Sequence, residues 1–430
     1  MSPHEVSGEP RPGRRQVLKG GLFVGALASL PAGFAVSQFM AGQTPKGGAT
    51  KERFYTGNDF GTTDADYRRV GVHRNSVAIW EDGFRTAGIN DDPNAWEWWY
   101  ADFTGEDGTV VSFLLHTRLD DGLVPEPGEA RRLPMVTATV TDPDGTTRGG
   151  FYNYEWKDFS SSTERCEVRV GPWSMTGDLK TYRMKGEIDE IAFDLTLTSL
   201  TKPFRPGNGF LYFGDTDRYL TWLPVVPRGR ATGTVTVNGK KRSFTGNGYH
   251  DHQWGNYPMP YSVDYWRWGR ASVGPYAAVG FDFHLRPEFG SARIPVLLVD
   301  NTDTGERPVA SISAMTGSAH ESNPQPYPEP DYLKDYYATV KWTYADGSDK
   351  ATFTLTDTKA LILARRVAAK PAAAQKKAMD NLGIDQIWYT RYDADASLDM
   401  TIDGARHKAT GEGLLENLQF GLSSSPPKST

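Results

Sequence analysis

A chain of 430 residues with a net charge of -6 and no block of like charge lacks the electrostatic footprint of a nucleic-acid or anionic-membrane binder. Its 38% hydrophobic and 12% aromatic content, with 45 Gly and 28 Pro, favours many short strands joined by tight turns, and its length favours two domains. The single cysteine, Cys166, excludes an intramolecular disulfide and any cysteine-rich metal cluster, and reads as a small buried hydrophobe.

At the N-terminus, Gly13-Arg14-Arg15-Gln16-Val17-Leu18-Lys19 precedes an apolar run from Gly21 to Val36. That run is short for a membrane span of roughly 20 residues, and the pattern resembles a twin-arginine export signal. Residues 1–42 are therefore expected to be a signal read by the twin-arginine machinery, with the protein periplasmic or extracellular, or anchored if the signal is uncleaved. Residues 43–75 read as a linker, 76–258 and 259–420 as two domains, and 421–430 as a disordered tail. Ordered structure is expected to begin between Val70 and Trp80.

The first clear element is a hairpin of Trp96–Phe103 and Val110–Arg118 around Gly105-Glu106-Asp107-Gly108. A four-residue loop sets Thr104 against Thr109 and Glu97 against His116. Glu97, Trp99, Ala101 and Phe103 then share a face with Val110, Ser112, Leu114 and His116. A carboxylate on that apolar face has to be paired. Further strands are predicted at Met135–Thr141, Arg148–Trp156, Cys166–Trp173, Arg183–Gly186 and Ile191–Leu200. Asn238-Gly239 closes another hairpin, Thr232–Val237 with Lys240–Gly246.

Next comes the stretch densest in functional side chains, Gly248 to Trp268, centred on His250-Asp251-His252-Gln253-Trp254-Gly255. It leads into a hairpin of Tyr261–Ser272 and Tyr276–Leu285. On the second strand Val279, Phe281, Phe283 and Leu285 form a core face. Ala278, Gly280, Asp282 and His284 form the other, with space for a pocket wall. Strands follow at Arg293–Asp300, Pro308–Met315, Tyr337–Tyr344, Lys350–Thr356, Gln386–Asp393 and Ala396–Thr401, and a last one begins at Gly411. A proline-rich loop at Asn323–Pro330 and a short peripheral helix at Pro371–Leu382 interrupt them. The fold class is all-β, an antiparallel barrel or sandwich.

Glu-Trp-Trp-Tyr at Glu97–Tyr100, Asp-His-Gln-Trp-Gly at Asp251–Gly255 and Gly413-Leu414-Leu415-Glu416 together resemble the carotenoid 1,2-hydratase family. This is a group of secreted lipocalin-like proteins similar to kievitone hydratase and to fungal lipocalin-like Diels-Alderases. The resemblance spans Ala95 to Glu416. It implies two tandem lipocalin-like (calycin) antiparallel β-barrels, an apolar isoprenoid- or polyketide-like substrate, and no cofactor. Carried over by motif, His252 and Trp254 become catalytic, and Asp282 matches a downstream aspartate.

Adding water to an unactivated alkene needs a strong acid, aromatic faces that tolerate a cation, and a placed water. Asp282 or Asp251, desolvated in an apolar pocket, can supply the proton. Trp254, Trp266 and Trp268 can face the cation, and His252 can hold the water. Glu97, Trp99, His116, Tyr265 and His284 are assigned to substrate binding. The other readings are a carrier of a hydrophobic ligand, a pericyclase, and a metal site. The last rests on His250-x-His252, which puts two imidazoles on one face of a strand, with Asp282 or His284 completing the set and Trp254 crowding it. No Gly-x-Ser-x-Gly elbow or phosphate loop is present.

Overall fold

The computed structural model describes residues 60–420 except 90–91, 93, 119–132, 215–216, 313–315, 327–334, 366–378, 381–382 and 385–386. The predicted signal, the C-terminal tail and most of the predicted peripheral helix lie outside these residues. The described chain is nearly all β. It forms a 12-stranded and a 9-stranded antiparallel sheet, each curled into a half-barrel of lipocalin-like type.

At the centre of the first sheet, strands Val110–His116, Trp96–Gly105, Lys240–Gly255 and Tyr219–Val237 lie side by side in that order. The predicted Asn238-Gly239 hairpin is the tip of the last two. Both turn residues have positive φ, 49° and 76°, as a type I′ turn requires. In the second sheet the corresponding order is Tyr276–Leu285, Val263–Val273, Ala405–Gln419 and Trp388–Ile402. Its curl brings Arg293–Asn301 against the Gly317–Pro326 and Asp335–Asp346 strands.

Three apolar clusters follow from the alternation of side chains. One fills the first half-barrel around Trp99, Phe113 and Trp173, and one fills the second around Trp342, Phe353 and Leu415. The third lies between the sheets and joins Trp98, Trp222 and Tyr249 of the first to Trp266, Trp268 and Phe281 of the second.

Several elements depart from the sequence reading. A helix, Asp64–Val70, lies inside the stretch read as linker. A Thr63/Asp66 capping box starts it and left-handed Gly71 ends it. Asn323 to Pro326, read as loop, belongs to the Gly317–Pro326 strand, which is the last of its sheet; an edge strand tolerates Pro324 and Pro326 because an amide can be missing there.

The space expected over Gly280 is filled by Trp342: a Cβ built at Gly280 would meet its ring at 2.4 Å. Gly280→Ala should therefore cost about 1–3 kcal/mol by overpacking. Denaturant midpoints of the two proteins measure this, and equal midpoints would show that Trp342 has room to move.

Candidate functional site: a cavity between the sheets

The first hairpin fixes which residues can meet. Its loop has three residues, because the Gly105 amide donates to the Thr109 carbonyl at 2.7 Å and Gly108 takes φ 84°. Thr104 thus pairs with Val110 and Trp98 with His116, one residue away from the predicted register. A one-residue slip exchanges the faces of a strand. The predicted Glu97/His116 pair is accordingly divided: Glu97 points into the first half-barrel, and His116 lines the space between the sheets.

The same alternation splits the central motif. His250, His252 and Trp254 face the interior of the first half-barrel, where His252 is stacked on Trp99 with centroids 4.7 Å apart. Asp251 and Gln253 face the second sheet and line a cavity enclosing about 890 Å³ of non-atom space, including its open mouth. Its walls are Trp98, Tyr100 and Leu114 on one side and Trp266, Trp268 and Phe281 on the other.

Of the predicted site residues, Asp251, His116, Trp266 and Trp268 line this cavity. Tyr265, Asp282 and His284 lie on the opposite faces of their strands, so the predicted pocket face of the Tyr276–Leu285 strand is corrected to the one carrying Phe281. Asp282 accepts from His284 Nε2 at 2.7 Å and from Arg293, and Tyr265 stacks on His284 at 3.6 Å. Burial opposes ionisation of Asp282, but His284 and Arg293 outweigh it and hold the carboxyl below the usual range. Asp282 is a paired carboxylate behind the cavity wall.

Asp251 is in the contrary position. No cation pairs with it, and burial, the dominant cause, pushes it up to about 7 against the hydrogen bonds from Trp222 and Tyr249. Trp222 Nε1 and the Tyr249 hydroxyl both donate to Oδ2 at 2.9 Å, while Oδ1 has no hydrogen-bond partner. In the neutral acid Oδ1 is free to carry the proton. Two residues along the same face, the Gln253 side-chain oxygen also lacks a partner.

The remaining polar wall could not be read from local sequence. Arg391 reaches from the second sheet to donate to Ser112 Oγ at 2.6 Å and to the Tyr100 hydroxyl, and pairs with Glu416 at 3.4 Å. Glu416 also accepts from Trp266 Nε1 at 3.1 Å and from the Tyr389 hydroxyl at 2.5 Å. Deeper in the interface Arg270 pairs with Asp102, which accepts from Tyr100 at 2.6 Å. These pairs neutralise one another and lock the sheets together.

Two curled antiparallel sheets with an aromatic cavity between them define a lipocalin-like class of β protein. Within that class, residues 89–273, which hold all twelve strands of the first sheet and the first strand of the second, match the AttH-like family. A quinolone epoxide rearrangement protein from Penicillium thymicola is 43% identical over 56 residues, 13% of this chain and 16% of that protein. The hydroxyneurosporene dehydrogenase of Chlorobaculum tepidum is 38% identical over 212 residues, 42% of this chain and 54% of that protein. The chain thus spans about half or less of these curated relatives. CghA, solved with Sch210972, superposes with a TM-score of 0.54 at 15% identity, over 78% of this chain and 90% of that one. An AttH-type protein from Nitrosomonas europaea gives 0.54 at 14%, over 81% and 98%. At these identities the likeness to the solved structures is one of fold.

Proposed function

We propose that the cavity binds an uncharged apolar molecule of isoprenoid or polyketide type and adds water to one of its carbon-carbon double bonds, with Asp251 as the acid. The observation that carries this reading is the Asp251 carboxyl: buried in an aromatic cavity, with no cationic partner among the described residues, and with one oxygen, Oδ1, that makes no hydrogen bond. By their names, the two relatives act on a quinolone epoxide and on hydroxyneurosporene, which supports an enzyme acting on small organic molecules.

In the proposed step, Asp251 Oδ1 gives its proton to one alkene carbon, and the π electrons form the new C–H bond. The other carbon becomes cationic between Trp98, Tyr100, Trp266 and Trp268, each face contributing about 0.5–2 kcal/mol in a water-excluded site. A water that donates a hydrogen bond to Gln253 Oε1 forms the C–O bond and releases its proton to the Asp251 carboxylate, which restores the acid. His252, assigned to the water by motif, stands behind the strand and takes no part in this step.

Incubating the protein with a panel of polyenes in oxygen-18 water tests the reaction. The expected result is an alcohol carrying the label, formed at a rate that falls as pH rises through about 7, where the acid ionises. Tight binding of the panel without any product would instead favour a carrier, and an unlabelled cyclised isomer a pericyclase.

A further inference from the structure

Inside the first half-barrel lies a second group of reactive side chains that the cavity chemistry does not use. The Ile79–Asp82 turn, the chain before the Glu167–Val170 strand, and the Lys240–Gly255 strand bring Asp82, Cys166 and His250 together. One ligand atom from each lies within 4.8 Å of the others, and all three residues are buried. His252 adjoins them, its Nδ1 3.3 Å from Asp82 Oδ1.

The hydrogen positions in this group are forced. His250 Nδ1 is 2.7 Å from the Tyr100 carbonyl oxygen, which can only accept, so Nδ1 carries a hydrogen. His252 Nε2 is 2.8 Å from Glu97 Oε1, which already accepts from the Arg85 amide, so Nε2 carries one too. In the neutral imidazoles the other nitrogens are lone pairs, and both are aimed at Asp82: His250 Nε2 lies 3.2 Å from Oδ2 and His252 Nδ1 faces Oδ1. Asp82 Oδ1 and His252 Nδ1 are buried and make no hydrogen bond. Acceptors that face each other in a dry interior need a cation among them.

That cation is either extra protons on the imidazoles or a metal ion. Three features fit the metal. Cys166 brings sulfur to the group, beside the Asp82 carboxylate and 3.9 Å from the Met175 carbonyl. Each imidazole donates its outer N–H to a carbonyl or carboxylate, the arrangement that usually orients metal-bound histidine. Tyr182 donates to Asp82 Oδ2 at 2.5 Å, an outer partner of the same kind for the carboxylate.

We propose that Asp82, Cys166, His250 and His252 bind one zinc ion in a closed, four-ligand structural site. Nitrogen and sulfur donors select zinc over calcium or magnesium. A thiolate and a carboxylate together offset its two positive charges. Trp99 and Trp254 pack on the His252 ring and hold it in place. The ion would fasten the N-terminal segment that carries Asp82 to the sheet that carries both histidines. The one comparable group among the described residues, Asp282, His284 and Glu321, already has Arg293 and Arg267 on its carboxylates, so its positive charge is supplied.

The test is metal analysis of the full chain, purified without chelator or a metal-affinity column. Roughly one zinc per chain should survive dialysis against a chelator. Cobalt-loaded protein should show a thiolate-to-metal charge-transfer band in the near ultraviolet, absent from Cys166→Ser. If that variant does not fold, the wild type is refolded from denaturant with a chelator or with zinc, and native structure should return only with zinc. A folded, metal-free wild type whose melting temperature and refolding ignore zinc would overturn the site and assign the charge to protons.

Discussion

Asp251→Asn should lower turnover about 10²–10⁴-fold, the range general acid catalysis contributes, while leaving ligand affinity within a few-fold. Asn keeps the size of the side chain and an oxygen that can accept from Trp222 and Tyr249, so the cavity keeps its shape. What disappears is the proton on Oδ1. The same variant has a pH signature in stability. The folded-state value of Asp251 is raised to about 7 from 3.8 by burial, so between those values the native state holds a proton that the unfolded chain has lost. Stability therefore falls as pH rises from about 4 to 7 and is flat above, by up to about 4 kcal/mol at 1.36 kcal/mol per pH unit. Asp251→Asn lacks that slope, so it should be at least as stable as the wild type at pH 8. Undiminished turnover in the variant would remove Asp251 as the acid, and parallel stability curves would place the carboxyl in contact with water.

Glu97→Ala should strongly destabilise the first half-barrel, by about 3–5 kcal/mol, because it removes a buried carboxylate on which several donors depend. Glu97 accepts from the amides of Arg85 and Thr86, from the Thr86 hydroxyl, and from His252, all within 2.8 Å. Removing it strands these donors in a dry core and frees the segment after Asp82. Asp82 depends on the same neighbourhood, because His250 and His252 face its two carboxylate oxygens. Equilibrium unfolding in denaturant measures the loss, and a change under 1 kcal/mol would mean that Glu97 is not part of the structural network. Turnover per folded molecule distinguishes the two roles, because a structural residue lowers the amount of active protein and leaves its rate alone.

Much of the fold is legible in local sequence because it depends on local chemistry. Met135–Thr141 forms as the alternation predicts, and Asn238-Gly239 turns where its left-handed preference requires. The crowded stretch from His250 to Gly255 lies on the strand between the two interiors. Its two faces serve two ends, a buried network behind and the cavity in front. The error over Glu97 and His116 came from one loop residue. Glycine at the end of a three-residue hairpin loop was the signal that could have corrected it.

The twelve percent of aromatic residues and the turn chemistry by themselves determined an all-β chain, and the resemblance carried by motifs such as Asp-His-Gln-Trp-Gly implied a lipocalin-like one. Tertiary structure alone decided which of its groups meet. Strand register sent His252 inward and Asp251 outward. The packing of the sheets brought Arg391 and Glu416 to the cavity from positions more than 130 residues away in the chain. Curling of the first sheet set Cys166 beside Asp82 and His250, and pairing with Arg293 withdrew Asp282 from acid chemistry. The physical reason is the same each time: a carboxylate is an acid, an ion-pair partner or a metal ligand according to the charges and burial around it, and those come from distant parts of the chain.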